Sequence, residues 1–177
     1  MGIDSDIYMI ETKDNFLNDI YFQGLVKEFT SDLLPWYLQH HVSIENDGHI
    51  QMTHNIYKDS RPTSNAFDLM MPLIKQLNIC ALIRIKLNLL YRTEKTLEHG
   101  WHIDISDAPK IAKTAVLYLN TNNGYTKFED GTKVESIANR IVIFPNNLKH
   151  TGATNTCETP YRLVLNIDYM ESEDNGV

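Results

Sequence analysis

Ile83, Ile85, Leu87, Leu89 and Tyr91 alternate with Arg84, Lys86 and Asn88. A period of two sends successive side chains to opposite faces of a strand, so this segment predicts a long strand with one apolar and one polar face. Shorter runs of strand character follow at residues 101–105, 113–120, 126–129, 140–144 and 161–169. Asn122-Asn123-Gly124 and Asp130-Gly131 fall between such runs, and both are hairpin turn signals. A chain built this way from residue 79 onward is committed to an antiparallel sheet that must cover its apolar face.

The earlier half reads differently. Phe16, Leu17, Ile20, Leu25, Val26 and Phe29 recur at three- and four-residue spacing, which predicts a helix over 13–34 ended by Pro35. Residues 36–44 read as extended, and Asn46-Asp47-Gly48 as a turn. A second helix is predicted over 64–77, with Pro72 kinking or restarting it. Helices first and strands later predict an antiparallel sandwich or barrel with helices packed outside it. The 177 residues fit one domain, with a helical part at about 1–78 and a strand core at about 79–170. The polar tail from Glu171 to Val177 is expected to be loose.

Charge and composition remove several classes of function. Sixteen basic residues against 23 acidic ones leave a net charge of −7, and no basic stripe marks a nucleic-acid partner. The most apolar stretch, 79–90, is broken by Arg84, Lys86 and Asn88, so no membrane span is expected. The acidic start, Met1-Gly2-Ile3-Asp4-Ser5-Asp6, lacks the basic segment of a secretory signal. Cys80 and Cys157 form neither a disulfide framework nor a zinc cluster. The expectation is a cytoplasmic protein with reduced thiols.

His102 and Asp104 stand two apart in a predicted strand, which places both side chains on one face. An imidazole and a carboxylate so placed can take adjacent positions on a metal ion. His150, just beyond the apolar run 140–145, is the natural third ligand. Two histidines and one carboxylate leave open positions, as in non-haem Fe(II) oxygenases. A His-x-Asp pair alone is weak evidence, since a strand histidine is more often structural. In the last strand Arg162, Val164 and Asn166 share one face. That face is either the solvent side of an ordinary sheet or the interior of a barrel, where a guanidinium could grip a carboxylate through two parallel bonds. Face counting leaves both open.

The set His102-x-Asp104, His150 at 46 residues further (150 − 104) and Arg162 at 12 beyond that (162 − 150) resembles the Fe(II)/2-oxoglutarate-dependent oxygenases. It is most similar to the prolyl-4-hydroxylase-like branch and its small bacterial and phage-encoded members. Residues 139–145 before His150-Thr151-Gly152, and Arg162-Leu163-Val164-Leu165-Asn166 after it, match the family's wording, as does the Asn122-Asn123-Gly124 hairpin. The likeness covers about half the chain, residues 79–169. It implies a double-stranded β-helix, a jelly-roll-like, cupin-type barrel that is mainly β with N-terminal α-helices. It implies that His102, Asp104 and His150 hold Fe(II), and that Arg162 pairs with the distal carboxylate of 2-oxoglutarate. The branch proper often has a lysine there, so Arg162 puts peptidyl proline as substrate in doubt more than the cosubstrate. By the same resemblance Tyr91 would bond that carboxylate; the alternative is a tyrosine at the barrel rim.

The implied activity is a dioxygenase that consumes O2 and 2-oxoglutarate, releases succinate and CO2, and hydroxylates a protein, peptide or small molecule, with ascorbate as a candidate reductant. Its location would be the cytoplasm, the host's if phage-encoded. Two other classes compete. One is a non-catalytic jelly-roll binding or structural module. The other is a cupin-like metal enzyme that does not use 2-oxoglutarate, which would favour His-x-His and has no need of Arg162. The remaining histidines, 40, 41, 49, 54 and 99, receive no role. The segments 51–65 and 92–100 are expected to be loops that select the substrate, and the oligomeric state is open.

Overall fold

The computed structural model describes residues 10–45 and 47–172. The acidic start, Asn46 of the expected turn and the end of the polar tail lie outside the described residues. The long strand β5 (Ile79–Tyr91) forms the spine of the molecule. Preceding it are β1 (Glu11–Lys13), α1 (Asp19–Phe29), β2 (Tyr37–Gln39), β3 (Gln51–Lys58), β4 (Arg61–Pro62), a 3-10 turn (Asn65–Met70) and α2 (Met71–Gln76). After it come β6 (Lys113–Tyr118), β7 (Tyr125–Phe128), β8 (Lys133–Glu135), β9 (Ile141–Pro145), β10 (His150–Gly152) and β11 (Tyr161–Glu171).

The strands form two antiparallel sheets. The larger runs β1-β9-β6-β11-β5-β3-β2, with β4 attached to β3, and the smaller runs β10-β7-β8. Its outer face packs on the helices: Phe22, Leu25 and Phe29 of α1 and Leu73 of α2 join Ile85, Leu87, Leu117, Leu165 and Ile167 in one core. The alternate residues of the same strands point the other way. Val116, Tyr118, Val142, Phe144 and Val164 meet Phe128 and Val134 of the small sheet in a second core. A sheet covered on both faces explains why 115–119 and 141–144 read as unbroken apolar runs.

Several expectations need correction. The described residues before β5 are not mainly helical: they supply four strands to the large sheet, and the two helices among them are short. The first helix is 11 residues long rather than spanning 13–34. Asn18 caps it by accepting from the Ile20 N–H at 3.0 Å. The chain before it is pulled onto the sheet, because Asn139 accepts from the Leu17 N–H and donates to the Leu17 carbonyl. Its buried stripe is Phe22, Leu25 and Phe29, while Ile20 is 84% exposed. Tertiary pairing has overridden a periodicity that ran on past its true ends. The second helix does restart at Pro72, which falls in the first turn of α2.

Residues 51–65 are not a loop, since they contain the eight-residue β3. Residues 101–105 do not form a strand; they touch the sheet through the single bridge His102↔His150. Asp130-Gly131 does turn the hairpin β7–β8, with Gly131 at φ 91°. Asn122-Asn123-Gly124 does not join paired strands, because β6 lies in one sheet and β7 in the other.

Candidate active site

The segment that carries His102 and Asp104 runs antiparallel beside β10 and is pinned to it. His102 and His150 exchange backbone bonds in both directions at 3.0 Å, and the His99 N–H donates to the Gly152 carbonyl at 3.0 Å. Residues opposed in this way point the same way, so the two imidazoles stand with ring centroids 4.6 Å apart. Asp104 follows and lies between them and β5. One ligand-type atom from each of His102, Asp104 and His150 lies within 4.8 Å of the others. The convergence expected from a period of two is there, but it comes from the bridge to His150.

The hydrogen bonds leave one lone pair per side chain directed at the common centre. His102 Nδ1 faces the Gly100 carbonyl at 3.0 Å, and His150 Nδ1 faces the Leu148 carbonyl at 3.1 Å. Each carbonyl fixes the proton on Nδ1 and leaves Nε2 as the free donor atom. Asp104 Oδ1 accepts from Arg84 Nη2 at 2.7 Å, while its Oδ2 is buried with no hydrogen bond. An unpaired buried carboxylate oxygen costs free energy that a cation would repay. Two imidazole nitrogens and one carboxylate oxygen therefore fit an Fe(II)-type ion with open positions.

Burial alone would raise the Asp104 carboxyl, but the His150 ring, with Nε2 3.3 Å from Oδ2, and then Arg84 hold it well below the usual range. Burial opposes charge on His150 as well, yet Asp104 raises it above the ordinary imidazole value. His102 goes the other way, lowered by burial and by His150. Arg84 also binds Asp168 at 2.8 Å, and Asp168 accepts in addition from Thr114 and Asn146. Burial, reinforced by Asp104, pushes Asp168 up to about 6. This buried group holds Asp104 so that only one oxygen is left free.

Arg162 is 4% exposed and faces the interior, so the solvent-side alternative for its strand face is overturned. Its Nε donates to Ser136 Oγ at 2.8 Å and Nη2 to Thr126 Oγ1 at 3.1 Å, with the guanidinium 5.5 Å from the Tyr118 ring. Among the described residues no carboxylate pairs with it, and burial lowers it from its usual value. A cavity lined by Asn88, Leu90, Val116 and Val164 joins Arg162 to His102, Asp104 and His150.

Tyr91 is a correction. It stands on the same strand face as Ile85 and Leu87, which pack toward the helices, and is 48% exposed. The cavity takes the opposite parity of β5, namely Lys86, Asn88 and Leu90. Thr126, Ser136, Tyr118 and Arg84 hold the site and were not singled out from sequence. Arg84 and Asp168 are cross-strand partners in the β5–β11 register, a relation that no sequence spacing displays.

No protein-family model and no curated protein sequence matches this chain. Solved structures do. A Pseudomonas putida prolyl-4-hydroxylase superposes with TM-score 0.65 at 15% identity, covering 94% of both chains. A Burkholderia pseudomallei oxidoreductase of the 2OG-Fe(II) oxygenase family gives 0.63 at 10% identity, over 91% of this chain and 84% of that one. The epimerase SnoN, in complex with Fe3+, alpha ketoglutarate and nogalamycin RO, gives 0.62 at 13% identity, over 93% and 79%. At such identities the likeness establishes a shared fold.

Proposed function

We propose that the protein is an Fe(II)- and 2-oxoglutarate-dependent dioxygenase built on a double-stranded β-helix, hydroxylating a protein, peptide or small-molecule substrate. The observation that carries this reading is the pairing of two unmet demands across one cavity. At one end a buried guanidinium lacks an anion; at the other, two Nε2 atoms and a buried carboxylate oxygen lack a cation. A dicarboxylate with one end on Arg162 and the other near the triad meets both demands. The solved structures of the same fold include an oxidoreductase of the 2OG-Fe(II) oxygenase family and an epimerase in complex with Fe3+ and alpha ketoglutarate.

In this reading His102, Asp104 and His150 hold the metal, and Arg84 keeps Asp104 to a single ligating oxygen. Fe(II) bound there would supply the redox chemistry coupling oxidative decarboxylation of 2-oxoglutarate by O2 to oxidation of the prime substrate, releasing succinate and CO2. Arg162 would orient the distal carboxylate through its free N–H groups, while Ser136 and Thr126 fix the guanidinium plane. Val116, Val164 and Leu90 line the space between and exclude water from it.

Gly124 is part of this geometry. A Cβ there would lie 2.7 Å from Arg162 Cδ and 2.8 Å from the Ala153 carbonyl oxygen. Gly124→Ala should push Arg162 aside and weaken 2-oxoglutarate binding roughly tenfold, an ordinary overpacking cost. Titration of the Mn(II)-loaded variant with 2-oxoglutarate checks this, and wild-type affinity would count against the arrangement.

The test of the activity needs no knowledge of the substrate. Purified protein with Fe(II), ascorbate and 2-oxoglutarate in air should form succinate above a metal-free control. N-oxalylglycine, which chelates but cannot decarboxylate, should suppress it, and His102→Ala and His150→Ala should abolish it. No succinate, together with no 2-oxoglutarate binding to the metal-loaded protein, would favour a non-catalytic module.

A further inference from the structure

Beside the triad, on the side away from Arg162, a second cavity of about 290 Å³ opens between β2, β3 and β5. It shares His102 and Asp104 with the first cavity, so whatever lies in it lies against the proposed metal position. Gln39 of β2, Thr53, Asn55 and Lys58 of β3 and Lys86 of β5 line it, and among the described residues only Val42 and Ile103 bring apolar side chains to it. Thr53 and Gln51 are each 4% exposed, so part of this polar wall is built into the sheet.

Arg84 pairs with both Asp104 and Asp168, two carboxylates on one guanidinium, so without a metal Lys86 offsets the surplus negative charge. With Asp104 given to a divalent ion, Arg84 is matched by Asp168 alone and Lys86 has no counter-charge left. Lys58 and Lys86 make no ion pair among the described residues. Burial, then the Arg84 charge, pushes Lys86 down to about 8, which leaves it cationic at neutral pH. A divalent ion would add positive charge here, and a 2-oxoglutarate bound as proposed has both carboxylates already matched. In the metal-loaded site the half-buried Lys86 calls for an anion from outside, and the exposed Lys58 at the rim of the cavity can share it.

We propose that this cavity is the prime-substrate site, and that the substrate is a small hydrophilic molecule bearing a carboxylate that pairs with Lys58 and Lys86. This rests on the oxygenase reading above and narrows it. The volume equals about ten waters, room for a molecule of amino-acid or sugar-acid size. An apolar ring such as a peptidyl proline would leave the wall's amides, hydroxyls and ammonium groups unpaired, which site chemistry of this kind rejects strongly.

The test uses the whole protein loaded with redox-inert Mn(II) and 2-oxoglutarate. The probes are L-lactate, N-acetyl-L-serine and D-gluconate with their carboxylate-free counterparts L-lactamide, N-acetyl-L-serinamide and D-glucose. Mn(II) in the site speeds proton relaxation of any molecule bound near it, so each probe reports its own occupancy. At least one acid should be relaxed more than its neutral counterpart, and Lys58→Met or Lys86→Gln should weaken that acid's binding about tenfold, as for loss of one charge-assisted bond. Neutral and acidic members relaxed alike, or a preference that survives both substitutions, overturns the proposal. A glutamate-rich hexapeptide bound in preference to every free acid also overturns it, since the occupant would then be a protein segment. Relaxation of 2-oxoglutarate is the internal control. If 2-oxoglutarate is not relaxed, the oxygenase reading itself has failed; if it is and no acid is preferred, only this inference has.

Discussion

Asp104→Ala should abolish tight binding of Mn(II), lowering affinity by more than about a hundredfold, beyond what the loss of a supporting hydrogen bond costs. Asp104 Oδ2 is the one anionic donor among the three ligand atoms, and its other oxygen is tied to Arg84. Calorimetric titration of both proteins checks this, and equal affinities would remove the triad assignment. Folding should survive on the strength of the two apolar cores, although Arg84 would keep only Asp168 as partner. Metal affinity should also fall with acidification, because an imidazole ligates only when neutral. The sign for each ring follows from its shift. His150 is held above the ordinary imidazole value by Asp104, so protons compete for it first as the pH falls. His102 is lowered by burial and by His150, so it competes only at more acid pH. A logarithmic plot of affinity against pH should therefore fall on acidification and steepen where the second imidazole joins the first.

Arg162→Ala should weaken 2-oxoglutarate binding by about 2–5 kcal/mol, since it leaves a carboxylate unpaired in a desolvated pocket. That corresponds to roughly thirtyfold at the least and several thousandfold at the most. Arg162→Lys keeps the charge but loses the planar fork, so its loss should be smaller. Titrating 2-oxoglutarate into the Mn(II)-loaded proteins separates the two substitutions. Wild-type affinity in both would mean that the buried guanidinium serves the fold alone, through Ser136 and Thr126. The metal affinity of both variants should stay near wild type, because Arg162 is not among the ligand atoms.

Both experiments bear on residues that were legible in the sequence, but not for equal reasons. His102, Asp104, His150 and Arg162 were found by a pattern of residue types, and the structure gathers all four around one cavity. A spacing of two predicts a strand for His102 and Asp104, and no strand forms there. The bridge to His150 brings the rings together instead. The resemblance implies Tyr91, but strand parity turns it away from the cavity, which takes the even residues of β5. The first helix was visible but too long, because the periodicity could not register that Asn139, more than a hundred residues away, holds Leu17 in the extended chain.

What the sequence by itself determined was local and periodic. It set the strand character of β5, β6, β9 and β11, an interruption at Pro72, the turn at Asp130-Gly131 and the residue types able to hold a metal and a carboxylate. Only the tertiary structure decided which way the polar faces look. Arg84, Lys86 and Asn88 carry the pattern of a solvated strand face, yet the second sheet and the segment bearing His102 and Asp104 turn it into the wall of a site. A period of two separates the faces of a strand and does not say what covers either one. That depends on contacts between residues far apart in the chain, such as Arg84 with Asp168 and His102 with His150.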